Sequence, residues 1–593
     1  MKIITDKDID TVLYNSEIIG TISSPSSNLE LNIDIFENAI TKKLIGELVV
    51  FKFTQDNIPH YSIAQVTEIE LKNILLEDPT IKSIARKKGH VNAISNIQDI
   101  HIGKITCGSV FGNNENLFEQ SLLGTVPPTG TTIYKVEDSV LNLLLEKQKD
   151  NIFYLGHSYG SKTKLPMWFK HFGHGINGAG EAYHLGIFGI TGSGKSTLAK
   201  MIMTAYSKHS EMGILVLDPV GEFAKTLIYG SRNNSSQNSS NSEFNLNTKK
   251  IFQNLNKKFE IVNVKNIVLD RWQLFSEILS ESKFFDRLTI RNPNKQLAID
   301  AIVYSRIKEK DKIPLYKMIE RDSFDKVIEY LHDEEVLIQI YASDEPRKRV
   351  KKILDVIDKE LLYNDIWKPF SKLFDSKREN SIKVDTLLKK LQDEKPIIII
   401  DLSMSYDSGN LSYWSEDIQF LILKRILDGL TDLGEENWHR NSFLNTLVIL
   451  DEAHRFANRE KTENQNLDEL RMKLLDAVRT TRKYGLGWMF LSTSLSSIHR
   501  EIIQQLRIVF YGFGLSLGSD LNTLKEMVSD PKSIQLYQSF TDPASSFNTI
   551  SRKYSFMSRG PVSPLSFSGA PLFFNAFNSS DEFVQENNLD TRL

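Results

Sequence analysis

The stretch His184-Leu-Gly-Ile-Phe-Gly-Ile-Thr-Gly-Ser-Gly-Lys-Ser-Thr197 limits what this chain can fold into more than any other. An apolar run, Leu185 to Phe188, delivers Gly189-x4-Gly194-Lys195-Ser196, and Leu198-Ala-Lys-Met-Ile-Met-Thr-Ala then reads as a helix. A strand before and a helix after separate a phosphate-binding P-loop from a chance Gly/Ser-rich turn. The glycines let backbone N–H groups close around phosphate oxygens, and the helix N-terminus adds its positive end. On this reading Gly189, Thr191, Gly192, Ser193, Gly194, Lys195, Ser196 and Thr197 hold ATP. Lys195 neutralises the β- and γ-phosphates, and the Ser196 hydroxyl ligates Mg2+.

Two further strands end in acids. Met212-Gly-Ile-Leu-Val-Leu-Asp218 is a buried-type strand followed by Pro-Val-Gly221-Glu222-Phe223. Parallel α/β sheets place ligands at the carboxyl ends of their strands, but a plain strand-to-helix turn also uses Asp, Pro and Gly. Both readings of Asp218 and Glu222 stay open on pattern alone. Leu447-Val-Ile-Leu-Asp451-Glu452-Ala-His fits a Walker B element. Asp451 belongs beside Mg2+, and Glu452 orients or deprotonates the attacking water. Farther on, Arg479-Thr-Thr-Arg482-Lys483-Tyr-Gly485 closes a helix. Its basic end suits the helix macrodipole and equally suits a γ-phosphate across a subunit interface.

A chain of 593 residues is too long for one core, so several domains are expected. With a net charge of −3, contact with nucleic acid has to come from a local basic surface. The single cysteine, Cys107, excludes an internal disulfide framework and a Cys-rich zinc module. The first residues lack a signal core, and runs such as Ile397–Ile400 are far shorter than the ~20 residues of a membrane helix. The expectation is a soluble, cytoplasmic protein without membrane contact.

Short β-runs at Glu17–Ile22, Leu48–Phe53, Tyr61–Val66 and Ile102–Thr106 predict a small N-terminal barrel or sandwich. Residues 231–247 are dominated by Ser and Asn and read as a solvated loop. From about 266 to 394, apolar residues recur at three- and four-residue spacing, predicting a helical bundle. Arg347-Lys-Arg349-Val-Lys-Lys352 could face phosphate, but a solvated helix start is the commoner meaning of such a run. The tail after Ser555 has no clear periodicity and is expected to lie across another surface.

Three lookalikes carry less. Gly156-His-Ser158-Tyr-Gly160 has the spacing of a nucleophile elbow but lacks the helix that must follow. Gly173-His-Gly175-Ile-Asn-Gly178 has dinucleotide-binding spacing without the strand–turn–helix context. His171 and His174 have no third ligand nearby in the sequence and read as polar loop residues.

Together these residues resemble the HerA family of hexameric ATPases, in the FtsK/HerA branch of P-loop proteins. The resemblance rests on the P-loop, Leu217-Asp-Pro-Val-Gly-Glu-Phe223, Leu450-Asp-Glu-Ala-His454 and Arg482-Lys-Tyr-Gly485, with a β-rich front and a helical insertion. It implies an α/β fold: a RecA-like P-loop NTPase core (166–262 and 395–555), an N-terminal β-barrel with linker (1–165), a helical-bundle insertion (263–394) and a C-terminal brace (556–593). It implies an ATP-hydrolysing homo-oligomeric ring, hexameric in the family, that moves double-stranded DNA beside a nuclease or another effector. Asp218 and Glu222 then join the site, and Arg479 or Arg482 becomes an arginine finger acting in trans. The family usually follows the strand's Thr with Gln, whereas Thr493 is followed by Ser494. That departure bears on how nucleotide state is sensed. It leaves a second expectation, a ring that scaffolds and regulates an antiphage effector such as a nuclease or sirtuin-like NADase. A peptide-unfolding ATPase is a third, and the Asp218 and arginine elements point away from it.

Overall fold

The computed structural model describes residues 4–88, 98–114, 117–175, 178–229, 246–403, 415–546 and 552–590. Its N-terminal strands are β1 (Ile18–Ile22), β2 (Leu31–Ile35), β3 (Leu48–Gln55), β4 (Ile58–Asn73), β5 (Asp99–Asn114), β6 (Leu117–Ser121) and β7 (Thr132–Lys135). They pair in the order β2-β1-β7-β3-β4-β5, and β5 pairs back onto β2. This closes a six-stranded antiparallel barrel, with β6 added along β5. Closure removes the sheet edges that would otherwise template aggregation. Alternation fills the interior: Ile19, Ile33, Val49, Phe51, Val66 and Ile133 are buried together.

The second sheet holds β8 (Ile152–Ser158), β9 (Lys164–Trp168), β10 (Leu185–Phe188), β11 (Gly213–Asp218), β12 (Phe259–Asn263), β15 (Ile397–Asp401), β16 (Thr446–Leu450), β17 (Leu486–Ser492), β18 (Ile508–Gly512), β19 (Tyr554–Arg559) and β20 (Leu572–Ala576). Its order is β12-β15-β11-β16-β17-β10-β18-β19-β20-β8-β9. The first seven are parallel, and the last four continue the sheet antiparallel from β18. Parallel strands buried on both faces read as continuous apolar runs, as Ile397–Ile400 and Leu447–Leu450 do. The P-loop strand β10 lies in mid-sheet, with β17 between it and β16. This is a RecA-like P-loop core.

The segment after Ser555, read from sequence as lying across another surface, instead supplies most of β19 and all of β20 within the sheet. β8 and β9 likewise belong to this sheet and not to the barrel. Leu572, Phe573 and Phe574 are all buried, because strands on either side and layers on both faces cover β20. Consecutive burial erases the alternation that would mark a strand.

The insertion is helical apart from β13 (Ile267–Val268), paired with β14 (Ile382–Lys383). Its centre is aromatic: Phe275, Phe284, Phe324, Phe370 and Phe374 surround or adjoin Trp367, whose indole donates to the Met318 carbonyl at 2.7 Å. Arg347 pairs with Glu334 and Asp344 at the start of helix Asp344–Val356, a solvated helix start. The Ser/Asn-rich reading falls on residues outside the described ones up to 245, and Asn247 caps helix Thr248–Asn254.

Candidate functional site

The carboxyl ends of β10, β11, β15 and β16 meet at one edge of the parallel sheet. The phosphate loop leaves β10 there and enters helix Lys195–Ser207. Gly189, Gly192 and Gly194 have φ of +153°, +82° and +91°, a region that L side chains rarely enter. At Gly194 a Cβ would also lie 2.8 Å from the Tyr554 ring. Thr191 and Gly192 are exposed, and Ser193 is buried with its hydroxyl unpartnered. Lys195 donates to the Ile190 carbonyl at 3.0 Å, a contact an incoming phosphate would replace. Burial pulls the Lys195 pKa down, and the carboxylates of Glu452, Asp451 and Glu222 oppose that pull. Thr197 lies one turn inside the helix, half-buried beside Ser196.

The acids close the opposite side. Ser196 Oγ donates to Glu222 Oε2 at 3.0 Å, and Lys200 Nζ reaches Glu222 Oε1 at 3.1 Å. Asp218 is fully buried and accepts three backbone N–H groups, from Gly221 at 2.8 Å, Glu222 at 3.1 Å and Ala224 at 2.9 Å. Its carboxyl thus fixes the turn that delivers Glu222 to Ser196. Burial raises its pKa, the three N–H groups oppose the rise, and the charge of Asp401 adds to it. Asp451 is raised to about 7, first by burial and then by Glu222, Glu452 and Asp218. Glu452 follows in the left-handed region at φ +45°, a conformation that non-glycine residues hold only where the surroundings enforce it. Its Oε2 lies 3.3 Å from His454 Nδ1.

Crowded carboxylates and a Ser hydroxyl form an all-oxygen donor set that suits a hard divalent cation. Among the described residues no three His, Cys, Asp or Glu side chains converge to cage a metal by themselves. Mg2+ held by Ser196 and Asp451 would therefore take its remaining ligands from phosphate and water.

Sequence reasoning missed Asp401 and Tyr554. Asp401 ends β15 in register with Asp218 and accepts from Ser403 N and Oγ at 2.9 and 2.6 Å. Its signal, an apolar strand ending in acid, is the same one that marks Asp218 and Asp451. Tyr554 has no local signal, because its contact with Gly194 spans the chain.

The basic end at 479–485 lies elsewhere. Arg479 pairs with Glu501, and Arg482 Nε is 3.3 Å from Glu181 Oε2, ahead of the start of β10. The carbonyl of Arg482 accepts from Ala182 N. Because β10 and β17 are parallel, both arginines belong to the end of the sheet opposite the phosphate loop. At about 3.3 Å per residue, β10 alone separates the two ends by roughly 13 Å. His184 is buried there, bonded to Val478 O at 2.8 Å and to Trp488 N at 3.3 Å, and burial holds its pKa at about 4.

Ser494 follows β17, between the P-loop and Walker B strands. Its Oγ donates to Asp520 Oδ1 at 2.9 Å, and Ser496 N donates to the same oxygen at 2.7 Å. Ser158 donates to Gly46 O at 2.9 Å from full burial and is followed by a turn, so it forms no nucleophile elbow. His171 Nε2 sits 3.3 Å from Glu211, and His174 packs edge-on against Phe443. Residues 176 and 177 of the glycine-rich lookalike lie outside the described ones.

Residues 182–427 match the family model described as the central domain of the helicase HerA. No curated protein matches. Among solved structures, VirB4 of Thermoanaerobacter pseudethanolicus is similar at 13% identity and a TM-score of 0.35, covering 72% of this chain and 96% of that one. The genome-packaging NTPase B204 of Sulfolobus turreted icosahedral virus 2, solved with AMPPCP, is similar at 8% identity and a TM-score of 0.27, covering 67% and 98%. The bacterial conjugative coupling protein TrwB aligns at 15% identity and a TM-score of 0.29, over 58% and 71%.

Proposed function

We propose that the chain, whose residues 182–427 match the model of the HerA central domain, is an ATP-hydrolysing, ring-forming translocase of double-stranded DNA. The observation that carries this reading is the division of the site. Phosphate loop and acids occupy one end of the parallel sheet, and Arg479 and Arg482 occupy the other. Within one subunit the arginines do not reach the nucleotide. A neighbour in a head-to-tail ring presents them instead.

In this mechanism the backbone of Gly189–Thr197 binds the phosphates and Lys195 offsets their charge. Mg2+, when bound, stabilises charge on the phosphate oxygens. Glu452 accepts the proton of the attacking water, and its left-handed backbone aims the carboxylate into the site. Glu222 holds the Ser196 hydroxyl. An arginine of the next subunit leaves its own glutamate and meets the charge that develops at the γ-phosphate. DNA contact would run mainly through phosphates, be insensitive to sequence and weaken steeply with salt. Duplex DNA at low salt is therefore expected to stimulate ATP turnover by the assembled protein. An unchanged rate across a full DNA titration would remove the motor reading.

The engagement of Ser494 with Asp520 favours a second reading. A short hydroxyl committed to a neighbouring helix is poorly placed to sense a γ-phosphate. The ring would then act chiefly as an ATP-bound scaffold that regulates an effector such as a nuclease or sirtuin-like enzyme. Glu452→Gln separates the two. Loss of general-base action should slow hydrolysis by about 10²–10⁴-fold with ATP binding retained. If DNA processing or effector control then stops, hydrolysis drives function; if effector control continues at full level, the scaffold reading stands.

A further inference from the structure

A cleft of about 700 Å³ opens where the barrel meets the antiparallel end of the large sheet. Five lysines line it, with Ser161 and Asn575 among its polar groups. Two of the lysines are already matched: Lys135 pairs with buried Glu47 at 3.3 Å, and Lys42 pairs with Glu17. Glu47 also accepts from Ser161 Oγ at 2.5 Å. Asp138, at the rim, is held by Lys164, whose Nζ is 3.6 Å away and whose backbone N–H donates at 3.0 Å. Among the described residues, Lys43, Lys162 and Lys553 have no carboxylate within ion-pair distance. Burial and the neighbouring charge of Lys553 lower the Lys43 pKa, and the charge of Glu47 opposes them.

The floor is rigid. Gly46 and Gly160 sit at φ +80° and +84°, and their turns press together. A Cβ on either would fall 2.3 Å from Tyr159 O or 2.4 Å from Ile45 O. Gln65 Nε2 ties the Gly46 turn to β20 by donating to Gly46 O at 2.7 Å and to Phe573 O at 3.0 Å.

We propose that this cleft is a second anion site, distinct from the phosphate loop, that takes a small phosphate-bearing ligand. Its volume fits one such ligand, and unmatched lysines supply the charge-assisted hydrogen bonds that phosphoryl oxygens take. Glu137 and Asp138 at the rim would repel a continuous polyanion laid across the cleft but leave room for a discrete phosphoryl group.

The test uses the full-length protein carrying Lys195→Ala, so the phosphate loop does not compete and the result is independent of ATP turnover. Calorimetry at low salt with inorganic tripolyphosphate is expected to find one site per chain. The affinity should fall about tenfold or more with Lys43→Gln/Lys553→Gln, and should fall with added salt. A parallel titration with ATP identifies the source of the phosphate: equal binding assigns bare phosphate, and tighter ATP binding assigns a nucleotide. Lys162→Gln, at an exposed position, gives an independent weakening if the double variant does not fold. Absence of the site, an affinity indifferent to these lysines, or displacement of tripolyphosphate by short duplex DNA would each overturn the proposal.

Discussion

Asp451 shows how position alone sets the chemistry of a residue. Its carboxyl lies at a buried strand end among Glu222, Glu452 and Asp218, and it keeps its proton up to about 7 in place of the ordinary 3.8. The folded chain therefore binds more protons than the unfolded chain between those values, and stability from this group falls as pH rises through that window. Below about 3.8 both states are protonated, and above about 7 the full penalty is present. Urea unfolding of the nucleotide-free protein at several pH values should show this decline relative to Asp451→Asn. Mg2+ should offset it at neutral pH. Parallel curves for the two proteins would refute the assignment. Of the candidate site, the phosphate loop and the two acids of Walker B were legible, since each is a short local pattern. Asp401 was equally legible and went unread. Tyr554 was not, because its contact with Gly194 depends on a strand more than three hundred residues away.

At the scale of elements, barrel strands and the continuous apolar runs of the parallel strands were visible, and β19 and β20 were not. β2, Leu-Asn-Ile-Asp-Ile, alternates cleanly but went unread, whereas β3 and β4 showed as runs of consecutive apolar residues. β19 and β20 lie between other strands and beneath layers, so burial runs through consecutive residues. The helical insertion was legible from its periodicity, but its attachment was not. Arg425 of helix Glu416–His439 makes that attachment: it is 3% exposed, 3.0 Å from Asp270, and also paired with Asp385. Asp270 is itself well buried, so Arg425→Met would leave a carboxylate without its partner. A loss of about 3–5 kcal/mol is expected, read as a lower denaturation midpoint. Replacing Asp270 with Asn in the same background should recover part of it. A neutral Arg425→Met variant would show that the insertion is held by its aromatic core alone.

The molecule as a whole joins a closed barrel, a RecA-like sheet and a helical insertion, and its large sheet carries nucleotide-binding groups at one end and arginines at the other. Strand direction supplies this polarity. The sequence alone cannot convey it, because residues 189 and 482 are separated by the insertion and set at opposite ends of one sheet by the pairing of β10 with β17. In the proposed ring, neighbouring subunits complete each other's site. Subunit mixing tests it directly. Lys195→Ala subunits and Arg479→Ala/Arg482→Ala subunits should each assemble into particles with almost no ATPase activity. Co-assembled particles should regain activity, because some interfaces then bring an intact phosphate loop against intact arginines. Mixed particles that stay inactive, or arginine variants that hydrolyse ATP at the unmodified rate on their own, would contradict the account.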